Sequence, residues 1–235
     1  MSIVHLLFGI ILWIIFLVAF PRSVPFEFMV DVLPALLVLA QVVGLGLIIL
    51  FGLLIGKRVG LGAPLLESWQ NGENIRDRGV TILKISSGLG VVVALAKFAL
   101  DRFLFSHYVP SILIQWKQMP FEWRLLIPFD QGIGDEIALR LFWMTILVWI
   151  IYTIQKPENN KPTAIGVWIP ILLVTIISIP GILFWAATPL VKLQLTILTA
   201  LGGIAFGWLY WKKGIESAII AHFCSSMALV LLSLV

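Results

Sequence analysis

Between Val32 and Ile55 the chain runs through twenty-four residues without an Asp, Glu, Lys or Arg. A helix needs about 20 apolar residues to cross the ~30 Å hydrocarbon core of a bilayer, so this run is long enough to span one. It is not alone. Ile3–Phe20, Val80–Leu100, Glu136–Gln155, Thr163–Ala187, Leu190–Trp211 and Ile215–Leu234 read the same way. Charged residues make up 12% of the 235 and hydrophobic ones 60%, about half the charged share of a soluble domain. The expected fold is all-α, a polytopic transmembrane helical bundle of about seven spans.

Composition narrows the function classes. The net charge of +4 is spread over loops, which argues for a cytoplasmic loop bias and against a nucleic-acid partner. The one cysteine, Cys224, excludes an internal disulfide framework and a Cys-rich metal site. No His-Glu-x-x-His, three-ligand zinc set or phosphate-binding Gly loop is present, so no metal and no cofactor is expected. The first run lacks a basic n-region and a small-residue cleavage site, as a retained span does.

The connecting segments carry the remaining charge. With the N-terminus in the cytoplasm, Lys57, Arg58, Arg76, Arg78, Lys156, Lys161, Lys212 and Lys213 fall inside, as the positive-inside rule favours. Phe103–Ile127 mixes apolar residues with Pro110, Lys117, Pro120, Glu122 and Arg124 and reads as interfacial. Lys84 and Lys97, near the ends of the third run, read as snorkelling to water, with Asp101 solvated and placed to pair with Lys97.

Against this background, Asp135-Glu136-Ile137-Ala138-Leu139-Arg140 is costly. The insertion scale charges about 2.5–3.5 kcal/mol for each Asp or Arg at the centre of a span. Glu136 and Arg140 lie one helical turn apart on one face. His222 and Ser226 have the same spacing on the last run. A carboxylate in low dielectric can act as general base or acid, and an imidazole on a facing helix can polarise a carbonyl or stabilise an oxyanion. The spacing is equally compatible with an ion pair that only locks packing, and with a histidine that is simply satisfied inside the bundle.

The order of these features resembles a known family. Asp135-Glu136-x-x-x-Arg140, Phe184-x-x-x-Thr188, the helix end Gly207-Trp208-Leu209-Tyr210 and His222-x-x-x-Ser226 are similar to motifs of the CAAX protease and bacteriocin-processing (abortive-infection-type) intramembrane endopeptidases. That family shows Glu-Glu-x-x-x-Arg, Phe-x-x-x-His and His-x-x-x-Asn on successive helices. The resemblance implies that Glu136 activates the attacking water, with Asp135 in the place of the first Glu. It implies that Arg140 orients the carboxylates, His222 stabilises an oxyanion and Phe184 contacts substrate. Thr188 stands where the family has its second-motif His, and Ser226 where it has Asn. Thr188 can donate or accept a hydrogen bond but cannot take a proton near neutral pH.

The same resemblance implies a division into N-terminal transmembrane helices with an interfacial segment, 1–124, and a CAAX-protease-like catalytic core, 125–235. The expected partners are membrane lipid and a membrane-associated or hydrophobic peptide or protein substrate, in a multi-pass protein of the cell membrane. The alternative is an inactive family member acting as a membrane adaptor or bacteriocin-immunity protein. A proton-coupled carrier has only the intramembrane charge in its favour and lacks repeat symmetry.

Overall fold

The computed structural model describes residues 33–108, 117, 119–157, 161–183 and 188–234. Among them are seven helices: α1 (Leu33–Val59), α2 (Pro64–Gln70), α3 (Arg76–Phe105), α4 (Phe121–Gln155), α5 (Ala164–Leu183), α6 (Pro189–Lys213) and α7 (Ile215–Leu232). Five of these, α1, α3, α4, α6 and α7, are long and apolar enough to cross a membrane. In α5 the strongly apolar stretch is shorter, Ala164–Ile179. The expected all-helical membrane bundle is borne out. The first apolar run, 3–20, lies outside the described residues.

The apolar side chains divide by the solvent they meet. Leu141, Met144 and Val148 on α4, Val167 and Ile171 on α5, Phe206 and Leu209 on α6, and Ala218 and Ala221 on α7 pack into one core. Leu39, Val42, Ile165 and Ile176 are exposed on the outside, where lipid tails are as apolar as they are. In such a solvent, association rests on close packing rather than on hiding grease. Gly90 supplies it between α3 and α7: a Cβ there would collide with the Ala221 carbonyl oxygen and come within 3.0 Å of Cys224 Cβ. That contact sets α3 directly behind the turn of α7 that carries His222.

Helix α4 differs most from expectation. It begins at Phe121 and runs unbroken to Gln155, so residues 121–127 are its first turns rather than part of a separate interfacial segment. Pro128 lies inside it, and proline removes an N–H that an α-helix would use. Beyond it the helix widens into π-turns over Asp130–Asp135 and Ile137–Met144, on either side of Glu136. Single π-turns inside helices recur at functional sites. Between α6 and α7 the joint is one residue, Gly214.

Two side chains of α3 that the sequence pattern assigns to water turn into the bundle instead. Asp101 is 1% exposed and accepts a hydrogen bond from Gln194 Nε2 on α6 at 2.6 Å. Lys97 is half-buried and its ammonium turns inward, because Gly202 on α6 leaves room for it. Lys84 is exposed as expected.

Candidate active site

Glu136 is completely buried at the middle of α4. Its Oε1 accepts a hydrogen bond from His222 Nδ1 on α7 at 2.8 Å. Its Oε2 lies 3.4 Å from Arg140 Nε, one turn along α4. The guanidinium also donates to the Gly203 carbonyl on α6 at 3.1 Å, so the cation ties α4 to α6 while its carboxylate partner ties α4 to α7. A buried carboxylate keeps its charge only with such partners. Yet among the described residues Oε2 accepts no hydrogen bond.

The imidazole is held on its flat side as well. His222 stacks on Phe206 of α6, with ring centroids 4.6 Å apart and planes 26° apart. A second polar pair lies one turn away, where Ser226 Oγ donates to Gln131 Oε1 at 2.7 Å. Going up α4 from 131 to 136 therefore means going down α7 from 226 to 222: the two helices run antiparallel and meet through both pairs. Asp135 is partly buried beside them, within electrostatic reach of His222 and Arg140.

A further cation enters from α3. Lys97 Nζ lies 6.0 Å from the centre of the Phe206 ring, on which His222 is stacked. It occupies the space left by a missing side chain, since a Cβ on Gly202 would lie 3.0 Å from Nζ. From there it interacts electrostatically with Arg140, Glu136 and Asp135. Sequence reasoning gives Lys97, Gln131 and Phe206 no place in the site. A usable signal exists for Lys97, a lone charge in the apolar run Val91–Leu100.

The structure thus brings Asp135, Glu136, Arg140, His222 and Ser226 together. It does not bring Thr188 to them. Thr188 is exposed and caps the start of α6, its hydroxyl accepting from Val191 N at 3.3 Å. Phe206 follows on the same helix roughly 27 Å further on, at about 1.5 Å per residue. Phe184 lies outside the described residues. No three His, Cys, Asp or Glu side chains converge on a common point among the described residues.

Residues 117–228 fit the family model of the Rce1-like proteins, described as type II CAAX prenyl endopeptidase Rce1-like. No curated protein and no solved structure matches the chain. The matched stretch holds α4, α5, α6 and α7 through His222 and Ser226, every group of the site except Lys97. With five candidate spans, this is a multi-pass membrane protein whose residues 117–228 match the Rce1-like family model, in line with the family that its motifs resemble.

Proposed function

We propose that the chain is an intramembrane endopeptidase in which Glu136 activates water to cleave a peptide bond of a membrane-associated or hydrophobic peptide. The observation that carries this reading is the asymmetry of one carboxylate: Oε1 is held by His222, while buried Oε2 accepts no hydrogen bond among the described residues. Arg140 Nε stands 3.4 Å from that oxygen without a hydrogen bond to it, and a water donating to Oε2 would stand between the base and an incoming carbonyl.

In the proposed step that water gives a proton to Glu136 while its oxygen bonds to the carbonyl carbon. The tetrahedral oxyanion then collapses, the C–N bond breaks, and the proton on Glu136 passes to the leaving amine. Arg140 keeps the carboxylate ionised and aimed. His222 is hydrogen-bonded through Nδ1 to Glu136 Oε1, and the resemblance assigns its ring to the oxyanion. Lys97 adds a positive field on the same side, where preorganised charge lowers the barrier most. Thr188 has no part in these steps, and Phe184 is assigned to substrate contact by resemblance alone. We place this chemistry in the 125–235 core, with Lys97 lent by the N-terminal part, and the protein in the cell membrane.

The test is Glu136→Gln, which keeps the shape and removes the base. Peptide termini in membranes of cells carrying wild-type or variant protein are compared by mass spectrometry, and the released peptides are then assayed with protein in liposomes. Turnover should fall by about 10²–10⁴, the usual weight of a general base. Undiminished cleavage by the variant ends the proposal.

A second reading, the inactive adaptor or immunity protein, has one observation in its favour. Thr188 is spent on a helix cap and the Ser226 hydroxyl on Gln131. It predicts that deleting the protein changes the cell while Glu136→Gln does not.

A further inference from the structure

At one end of the bundle, away from Glu136, the structure forms an open cleft of about 690 Å³. Four cations line it: Lys57 from the last turn of α1, Arg78 from the first turn of α3, and Lys212 and Lys213 from the last turn of α6. Two carboxylates, Glu67 and Asp77, face them, so the lining has an excess of positive charge. The wall is firmly built. Ile215 N donates to the Gly62 carbonyl at 2.9 Å, and Glu216 Oε1 accepts from Leu65 N and Leu66 N at 2.9 and 3.0 Å. Tyr210 closes the inner side, its hydroxyl 2.6 Å from Thr145 Oγ1.

Helix dipoles explain part of this charge but not all. Lysines in the last turns of α1 and α6 complement the negative ends of those helices. Arg78 stands in the first turn of α3, where a cation is unfavourable, and its guanidinium is drawn toward α2 by a 3.1 Å hydrogen bond to Ser68 Oγ. That bond uses one of five N–H donors. Lys212 Nζ is seated 3.6 Å over the centre of the Trp211 ring, so Lys57, Arg78 and Lys213 are the cations left to meet an anion.

The position says which anion. The cavity lies where the spans α1, α3 and α6 end, at the level of lipid headgroups. Directly inward, Phe51 and Leu54 on α1 and Val80 and Leu83 on α3 are exposed apolar residues. Helix α1 packs chiefly on α4 and helix α3 on α7, so these two consecutive spans are held by different partners. A cationic chamber over an apolar surface fits a molecule with a phosphate at one end and hydrocarbon at the other. We propose that this cavity binds the phosphate of an anionic phospholipid, with the acyl chains lying along the exposed faces of α1 and α3. The site is separate from Glu136 and does not depend on the chain being a protease.

The experiment uses the full chain in nanodiscs of phosphatidylcholine doped with increasing phosphatidylglycerol, read by thermal unfolding and by native mass spectrometry of retained lipid. The wild type should show a saturable rise in Tm and a bound phosphatidylglycerol. Arg78→Gln/Lys213→Gln should bind it roughly a hundred-fold more weakly, the loss expected for two charge-assisted contacts to one phosphate. Arg58→Gln/Arg76→Gln removes the same charge from exposed residues nearby that do not line the cavity and should leave binding within a few-fold of wild type. Equal losses in the two variants would mean a general surface potential and overturn the site. Should Arg78→Gln/Lys213→Gln fail to fold, Lys57→Gln/Lys213→Gln, both at exposed positions, makes the same comparison. Inorganic phosphate in detergent is the second arm: a Tm rise matching that of the lipid assigns the cavity to free phosphate and overturns the lipid. No response to either overturns the proposal altogether.

Discussion

Arg140→Met should cost about 3–5 kcal/mol of stability, the usual penalty when one partner of a buried ion pair is removed and the other is left charged. The stranded group is Glu136, with no exposed surface through which water can relieve it. The Gly203 carbonyl loses a donor at the same time. Unfolding in bicelles measures the loss directly. The double variant Glu136→Gln/Arg140→Met should be destabilised by clearly less than the sum of the singles, because the charge that made the single change costly is gone. Additive losses would show that the two side chains do not hold each other, and the ionised state of Glu136 would then need another source.

The second large effect is expected at Lys97. Lys97→Met keeps the length of the side chain and removes its charge. Turnover of whatever peptide the wild type cleaves should fall by less than the roughly 10²–10³ that removal of a direct oxyanion donor costs, because Lys97 acts through its field. Gly202→Ala tests the same point from the neighbouring helix. The added methyl would come 3.0 Å from Nζ and 3.2 Å from Cε2 of Phe206, so it presses on the ammonium and also on the ring that His222 is stacked against. The ammonium can give by a few tenths of an ångström, whereas the buried Phe206 ring gives less readily, so kcat should drop with KM unchanged and a modest loss of stability. If both variants keep the wild-type kcat, Lys97 is a packing residue and the positive field comes from Arg140 alone.

Much of this architecture is written in local patterns. The long uncharged runs announce the spans, since each must cross the same thickness of hydrocarbon. The spacing of Glu136 to Arg140 and of His222 to Ser226 announces two polar faces, because one helical turn sets both. Their meeting at 2.8 Å is a non-local fact, readable only through the family resemblance. Lys97 shows the limit. A lysine near the end of an apolar run can snorkel or turn inward, and the choice depends on Gly202, a hundred residues away. Thr188 shows a signal overlooked: Thr188-Pro189 is a cap followed by a first-turn proline, which marks a helix start. The π-turns around Glu136 have no signature in the residue pattern beyond Pro128. They place Gln131, five positions before Glu136, opposite Ser226.

The single-residue joint at Gly214 bears on how this chemistry can vary. A helix rotates by about 100° for each residue added. With no slack between α6 and α7, lengthening or shortening the link by one position would swing the imidazole away from its carboxylate and toward the lipid. The pairing of acid and imidazole is therefore a matter of chain length as much as of residue identity. Substitution can tune this centre; insertion between its last two helices dismantles it.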